Sequence, residues 1–348
     1  MVTIGIDAHK RNHTAVMVDE QGRRLTQTTT GACSSDHLAL LAWAAGRSRQ
    51  RQWAVEDCRH LSRRLERDLL TAGERILRVP PKLMANSRDG ARSYGKSDPI
   101  DALAVARAAL REPNLPTARL DGRERELRLL VDHREDLIAE RTRMINRLRW
   151  HLHELDPGSE PAPRSLNRLR TLDRIAAALD GIEGTVARLA RKLTERCRQL
   201  TLEIQQLERE LATLVETLAP SLLAICGCGP LTAAKILGET AGIDRFRSPA
   251  AYARHNGSAP LPVWSSNRSR HRLSRSGNRQ LNAALHRIAL TQAQWHPDAK
   301  KMIARRKAQG DGGLEALRIL KRRLSDIVYR ALKTDATHQP QPTPTTQT

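Results

Sequence analysis

Four carboxylates in the first third of the chain stand where hard oxygen ligands could hold a divalent cation. They are Asp7 in VTIGIDAHK, Glu56 in QWAVEDC, and the pair Asp98 and Asp101 in YGKSDPIDALAVARAAL. Asp7 and Glu56 fall at the ends of two predicted strands, and side chains at strand ends can converge on one edge of a sheet. Asp98-Pro99 opens a predicted helix, with Asp98 as its cap, so Asp101 shares the first turn. Each acid alone also has a plain structural reading as a cap, a favourable first-turn charge or a strand end. Their order favours a cluster: a strand Asp, a strand Glu, then a helix-opening pair. Glu56 follows Trp53-Ala54-Val55, an apolar strand segment where an unpaired charge is costly. Asp57 competes weakly, because it would point to the opposite face of that strand.

The second stretch that could do chemistry is AYARHNGSAPLPVWSSNRSRHRLSRSGNRQLNAALHRIA. It sets Ser258, Ser265, Ser266, Ser269, Ser274 and Ser276 among Arg254, Arg268, Arg270, Arg272, Arg275 and Arg279. Read from composition, it is a solvated basic loop that grips phosphates. A serine beside arginine clamps could also attack phosphorus, given activation and an in-line phosphate. There is no Ser/His/Asp triad spacing, His271 is ordinary in such a loop, and GSAP lacks the nucleophile-elbow pattern.

Composition points the same way. The 348 residues carry a net charge of +21, and Arg strongly outnumbers Lys. Arg suits bidentate contact with phosphate, so nucleic acid is the first partner to consider; a ribosomal or chromatin-like protein without chemistry shares that charge. One Phe, three Tyr and five Trp argue against base-stacking platforms and for backbone contacts. The five cysteines are scattered, and Cys226-x-Cys228 lacks a partner pair, so zinc is not expected and a reducing cytoplasm is. The chain begins directly with an apolar strand, and no apolar run reaches membrane-spanning length, so a soluble intracellular protein is expected.

The elements that must position these residues follow from periodicity. Strands are predicted at 2–7, 13–19, 24–30, 52–57 and 75–79, with helices at 36–47 and 60–72 between them. That pattern suggests a mixed sheet covered by helices. Long charged helices follow at 123–155 and 186–218, separated by DPGSEPAPRS. The second carries Val186, Leu189, Leu193, Cys197, Leu200, Ile204, Leu207, Leu211, Leu214 and Leu218, a narrow stripe of the coiled-coil kind. An antiparallel hairpin or an intermolecular coil would fit, and the stripe is expected to join subunits rather than fill a monomer core. LLAICGCGPLTAAKILGETAG reads as helix, glycine turn, helix. A loop-rich basic segment at 254–279 and helices at 280–296 and 313–333 complete the chain before a polar tail.

The blocks GIDAHK, VED, KSDPIDA, GCGPLTAAKIL and GSAPLP…SSN…RHRL…SGNRQLN resemble those of the DEDD-type insertion-sequence transposases, relatives of the Piv pilin-gene inverting recombinases. The resemblance spans residues 2–333. It implies an α/β RNase H-like (RuvC-like) domain over 1–120 and a helical coiled-coil region over 121–218. A mostly α transposase domain with a helix-hairpin-helix-like element follows over 219–335, then a disordered tail over 336–348. It implies that Asp7, Glu56, Asp98 and Asp101 bind Mg²⁺ or Mn²⁺. It also implies a nucleophilic serine, which relatives carry in an S-S-G motif after A-P-x-P. Aligned on APLP and RHRL, Ser265 takes the nucleophile position, Ser266 stands where relatives have Gly and is the alternative nucleophile, and Trp264 replaces the first Ser. DNA is the implied substrate, targets are chosen by a noncoding bridge RNA, and the protein is a dimer or tetramer in a bacterial or archaeal cytoplasm, associated with the nucleoid. Arg268, Arg270, Arg272, Arg275 and Arg279 are the expected phosphate contacts. Two other readings stay open from the residues alone: a RuvC-like nuclease that uses metal and water, and a non-catalytic nucleic-acid scaffold.

Overall fold

The computed structural model describes residues 1–80, 83, 97–265, 268–272 and 277–338. The chain forms two compact units, Met1–Asp121 and Gly122–Thr348.

The first unit is built on a five-stranded sheet. Its strands are β1 (Val2–Ala8), β2 (Asn12–Val18), β3 (Arg24–Gly31), β4 (Arg51–Glu56) and β5 (Ile76–Val79), in the order β3-β2-β1-β4-β5. β1 to β3 form an antiparallel meander, and β4 and β5 run parallel to β1. This is the RNase H-like arrangement. Residues alternate between two buried faces, as the period of a strand requires. Ile4, Ile6, Ala8, Trp53 and Val55 pack with Leu40, Leu65 and Leu69 of α1 (Ser34–Ala45) and α2 (Arg59–Thr71). Ala54, Leu77 and Val79 pack with Ala104, Val105 and Ala108 of α3 (Asp98–Arg111). Gly5 lies on the α3 face: a Cβ there would sit 2.1 Å from the Ala102 carbonyl oxygen and 2.5 Å from the Ala106 nitrogen. The alanine-rich helix and the missing side chain together let backbone meet backbone.

The second unit begins with two long helices, α4 (Arg123–Leu155) and α6 (Thr185–Leu218), with α5 (Leu169–Ala178) between them. They pair antiparallel. Leu137 packs with Leu200 and Ile204, Leu148 with Ala190 and Cys197, and Leu127 and Val131 cluster with Leu211, Val215 and Leu218. Arg196 bonds Glu140 at 2.7 Å across the pair, and Arg134 bonds Glu208. Most of the leucine stripe therefore packs within one chain rather than waiting for another subunit as expected, while Leu189 stays exposed. Leu200 and Leu211 are fully buried there.

Short helices α7 (Pro220–Leu223), α8 (Pro230–Thr240) and α9 (Pro249–His255) follow, then the hairpin β6 (Leu261–Ser265) and β7 (Arg268–Arg272). Three further helices, α10 (Arg279–Trp295), α11 (Pro297–Ala308) and α12 (Gly313–His338), close the unit around a core that includes Tyr252, Leu285, Ile288, Leu324 and Val328. The hairpin replaces the loop expected over 254–279, since its strands carry Arg and Ser where apolar alternation would be the signal. Only Ala299 and Met302 of α11 are buried, too thin a stripe to announce a helix. The final helix overruns the expected start of the tail at 336, because buried Asp335 accepts a bond from the Ser221 backbone N–H at 3.0 Å and anchors its last turns. Residues 339–348 lie outside the described residues.

Two substitutions test these contacts. Gly5→Ala should destabilise the protein by about 3 kcal/mol or more, since the new carbon meets backbone that has no rotamer to yield; a denaturant midpoint close to that of the unaltered protein would refute the close approach. Leu200→Ala should cost about 2–5 kcal/mol while light scattering shows an unchanged mass, because its partners belong to the same chain.

Candidate active site

The acids of the first unit gather at the C-terminal ends of β1 and β4. The parallel register pairs Ile6 with Val55, so Asp7 and Glu56 come next on neighbouring strands. Asp7 shares the face of Gly5, and Glu56 that of Ala54, two residues back in each case. Both therefore belong to the face that α3 covers. The tight crossing at Gly5 brings the first turn of α3 to the same edge. There the structure corrects one detail: Ser97, not Asp98, is the N-cap, with Pro99 inside the first turn. Asp98 is thereby released from capping, and its carboxylate turns to His9.

His9 follows β1 in the turn to β2, held by a bond from its backbone N–H to the Asn12 carbonyl oxygen at 3.0 Å. Its Nε2 lies 3.0 Å from Asp7 Oδ2 and 3.5 Å from Asp98 Oδ1. Asp7 is buried, and that burial pushes its carboxyl above the ordinary range. His9 opposes the shift, while Asp101 and Asp98 add to it. Asp101 is buried too, beneath the partly exposed Asp98. The ligand atoms of Asp7, His9 and Asp98 all lie within 4.8 Å of one another. Two carboxylates and an imidazole at that spacing, with further acid beside them, fit a divalent cation, and one bound there would favour the ionised Asp7 that burial and its acidic neighbours disfavour. Sequence reasoning passed over His9. Its signal was a ligand-type residue two positions after Asp7, at the exit of the strand.

The remaining expected residues belong to the second unit. Ser265 ends β6, and Arg268, Arg270 and Arg272 lie along β7, with Ser265 paired to Arg268 in register. Ser266 and Arg275 lie outside the described residues. Arg279 opens α10 and is exposed.

The root of this hairpin is closely tied. Gly277 has φ +100°, and a Cβ on it would stand 2.7 Å from the His255 carbonyl oxygen and 2.9 Å from the Gly257 nitrogen. Its neighbour Asn278 donates its backbone N–H to that same His255 oxygen at 2.6 Å. The Asn278 side chain caps α10 through the backbone N–H groups of Gln280 and Leu281, and also donates to Glu239 at 2.5 Å. Fully buried Asn256 donates to Ser325 Oγ at 2.8 Å, and its carbonyl oxygen receives Asn282 Nδ2 at 2.9 Å. These asparagines were not singled out in the sequence, although each stands beside a glycine or in the conspicuous GNRQLN run.

Known proteins now bear on this arrangement. A DEDD-type IS110 transposase model matches residues 4–157, across the acidic site. A second model, described as transposase IS116/IS110/IS902 family, matches residues 219–304, across the serine hairpin. The chain belongs to that transposase family. It is similar to the insertion element IS116 44.8 kDa protein of Streptomyces clavuligerus, 28% identical over 395 residues that cover 100% of this chain and 98% of that protein. The insertion element IS900 42 kDa protein of Mycobacterium paratuberculosis is 25% identical over 401 residues, covering 97% of each. T. thermophilus RuvC, in complex with a Holliday junction substrate, aligns with 32% of this chain and 94% of its own at 18% identity and a TM-score of 0.26; the fold assignment rests on strand order instead. The transposase is thus an enzyme that acts on DNA, with an acidic site suited to a divalent metal. Among its described residues no helix is long and apolar enough to cross a membrane.

The raised carboxyl of Asp7 gives a measurable sign. A carboxyl above its ordinary range favours the folded state when protonated, so ionised Asp7 lowers stability once pH rises through its folded value. Asp7→Asn should raise the unfolding midpoint at neutral pH in chelator, and the advantage should shrink as pH falls toward the carboxylate range. Added Mg²⁺ or Mn²⁺ should stabilise the unaltered protein, by about 2.7 kcal/mol at a hundredfold excess over its Kd, and leave Asp7→Asn unmoved. Equal metal responses in the two proteins would rule out Asp7 as a ligand.

Proposed function

We propose that this transposase cuts and rejoins DNA through the hydroxyl of Ser265, with Asp7, Glu56, Asp98 and Asp101 as its metal-binding acids and Mg²⁺ as the ion. His9 joins Asp7 and Asp98 in holding it. The observation that carries the reading is the convergence of Asp7, His9 and Asp98 at one sheet edge, in a chain whose serine hairpin lies within the residues that the second transposase model matches, 219–304. When bound, the ion supplies electrostatic stabilisation to the phosphate under attack.

The chain's own residues do the rest. Ser265 Oγ forms a bond to phosphorus while the bond from phosphorus to the leaving deoxyribose oxygen breaks. The proton released by serine ends on that oxygen, which departs as an alcohol. One DNA end is then held as a phosphoserine ester, and the reverse attack by another DNA hydroxyl rejoins strands without ATP. Arg268, Arg270, Arg272, Arg275 and Arg279 neutralise backbone phosphates and so set grip rather than sequence. Sequence choice falls to base pairing with a bridge RNA encoded by the element, in keeping with a chain rich in Arg and poor in aromatics. The protein works as a dimer or tetramer, since several strands must be cut and exchanged. The acid cluster alone would also suffice for hydrolysis by metal and water, which is the second reading.

Denaturing electrophoresis of the protein with labelled element-end DNA, element RNA and Mg²⁺ separates the two. A covalent protein–DNA adduct is expected, lost in Ser265→Ala and in Asp7→Asn, with DNA binding retained in both. Ser266→Ala should keep the adduct, and Ser266→Gly should match or exceed it. Nicked DNA without adduct would give the reaction to water, and loss of the adduct in Ser266→Ala alone would move the nucleophile by one residue.

A further inference from the structure

The second unit buries two lysines and treats them differently. Lys235 on α8, 5% exposed, lies 2.9 Å from Glu135 and 3.5 Å from Asp132. Lys321 on α12 is 8% exposed and has no carboxylate partner among the described residues. Its Nζ donates to Asn282 Oδ1 at 2.6 Å, and an ammonium has two more N–H groups to place. The charged groups that act on it, Arg279 and Arg318, are cationic. Burial lowers its pKa from the ordinary lysine value, and Arg279 and Arg318 lower it further. His286, one turn beyond Asn282 on α10, is lowered by its own burial and then by the Lys321 charge. Neither Arg279 nor Arg318 has an ion-pair partner among the described residues.

Other inner cations do meet carboxylates. Arg78 meets Glu66 at 2.6 Å, Arg51 meets Glu74, and Lys235 has its two acids. A buried charge left unpaired among like charges costs free energy unless an anion completes it. We propose that Lys321, Arg279 and Arg318 form a phosphodiester-binding site at the root of the serine hairpin, with Asn282 orienting the ammonium. Asn282 is also the residue that grips the Asn256 carbonyl oxygen, so the ammonium and the hairpin root share one support. A backbone phosphate bound there is registered against the hairpin that carries Ser265. The site rests on the chain's action on DNA, not on the serine assignment, so binding without chemistry tests it.

The measurement is the salt dependence of binding by the full-length protein, read by fluorescence anisotropy with duplex DNA and, separately, with single-stranded RNA. For Lys321→Met the slope of log K against log salt should fall by about 0.9, with a several-fold loss of affinity at moderate salt, while Lys321→Arg keeps the slope. Unfolding of Lys321→Met without nucleic acid should be unchanged or shifted to higher denaturant, since an unpaired buried charge is gone. A fall with DNA assigns the phosphate to DNA, and a fall with RNA alone assigns it to RNA. An unchanged slope with both overturns the site and leaves Lys321 as a structural donor to Asn282. Arg318→Gln, on the exposed rim, gives the same reading should Lys321→Met fail to fold.

Discussion

The first unit depends on one close contact, the crossing of α3 over β1 at Gly5. Because nothing projects from that residue, the helix backbone comes down onto the strand, and small side chains at Ala102 and Ala106 keep it there. That depth fixes where the first turn of α3 ends up. Asp98 and Asp101 meet the end of β1 only because the helix crosses so near it, and Asp7, two residues beyond Gly5, faces the same way.

Several inner charges are paired: Arg51 with Glu74, Arg78 with Glu66 and Lys235 with Glu135. Two clusters instead gather charge of one sign, and the two signs are opposite. At the edge of the sheet, carboxylates crowd together until burial and mutual repulsion raise Asp7, with only a half-exposed imidazole between them. At the hairpin root, Arg279 and Arg318 act on Lys321, whose ammonium has an amide as its only partner among the described residues. The first is a charge deficit that a metal ion would fill, the second an excess that a phosphate would fill. A protein that joins a polyanion to a cation has use for both.

The long helix pair shows why a seam in a sequence does not name its partner. Leu200, Ile204 and Leu211 would fill an intermolecular coil equally well. The choice falls to α4, which lies antiparallel within the same chain and offers Leu137, Leu148 and Val131 at matching heights, with Arg196–Glu140 and Arg134–Glu208 fixing the register. The helix that supplies the partner stripe is itself mostly charged, with apolar residues widely spaced. Its contribution emerges only once the two are laid side by side.

Much of the fold was legible because its signals are local. Five strands were set by alternation and turn residues, two helices by their apolar faces, and a third by the Asp98-Pro99 start, all within a residue or two of where they form. The acids could be listed for the same reason, since strand ends and a helix start are local features. What tertiary structure alone decided is who meets whom. It turned Asp98 away from capping and toward His9, whose part depends on a turn geometry that no periodicity encodes. It made a hairpin of an Arg-rich stretch, because Gly277 and Asn278 close upon His255 and Gly257 some twenty positions earlier in the chain. It buried Lys321 without a counter-charge among the described residues, although in sequence that lysine is one more cation in a basic helix. A sequence reports the chemistry each residue carries, but burial and pairing arise between elements distant along the chain, and they determine which of those charges remain unsatisfied.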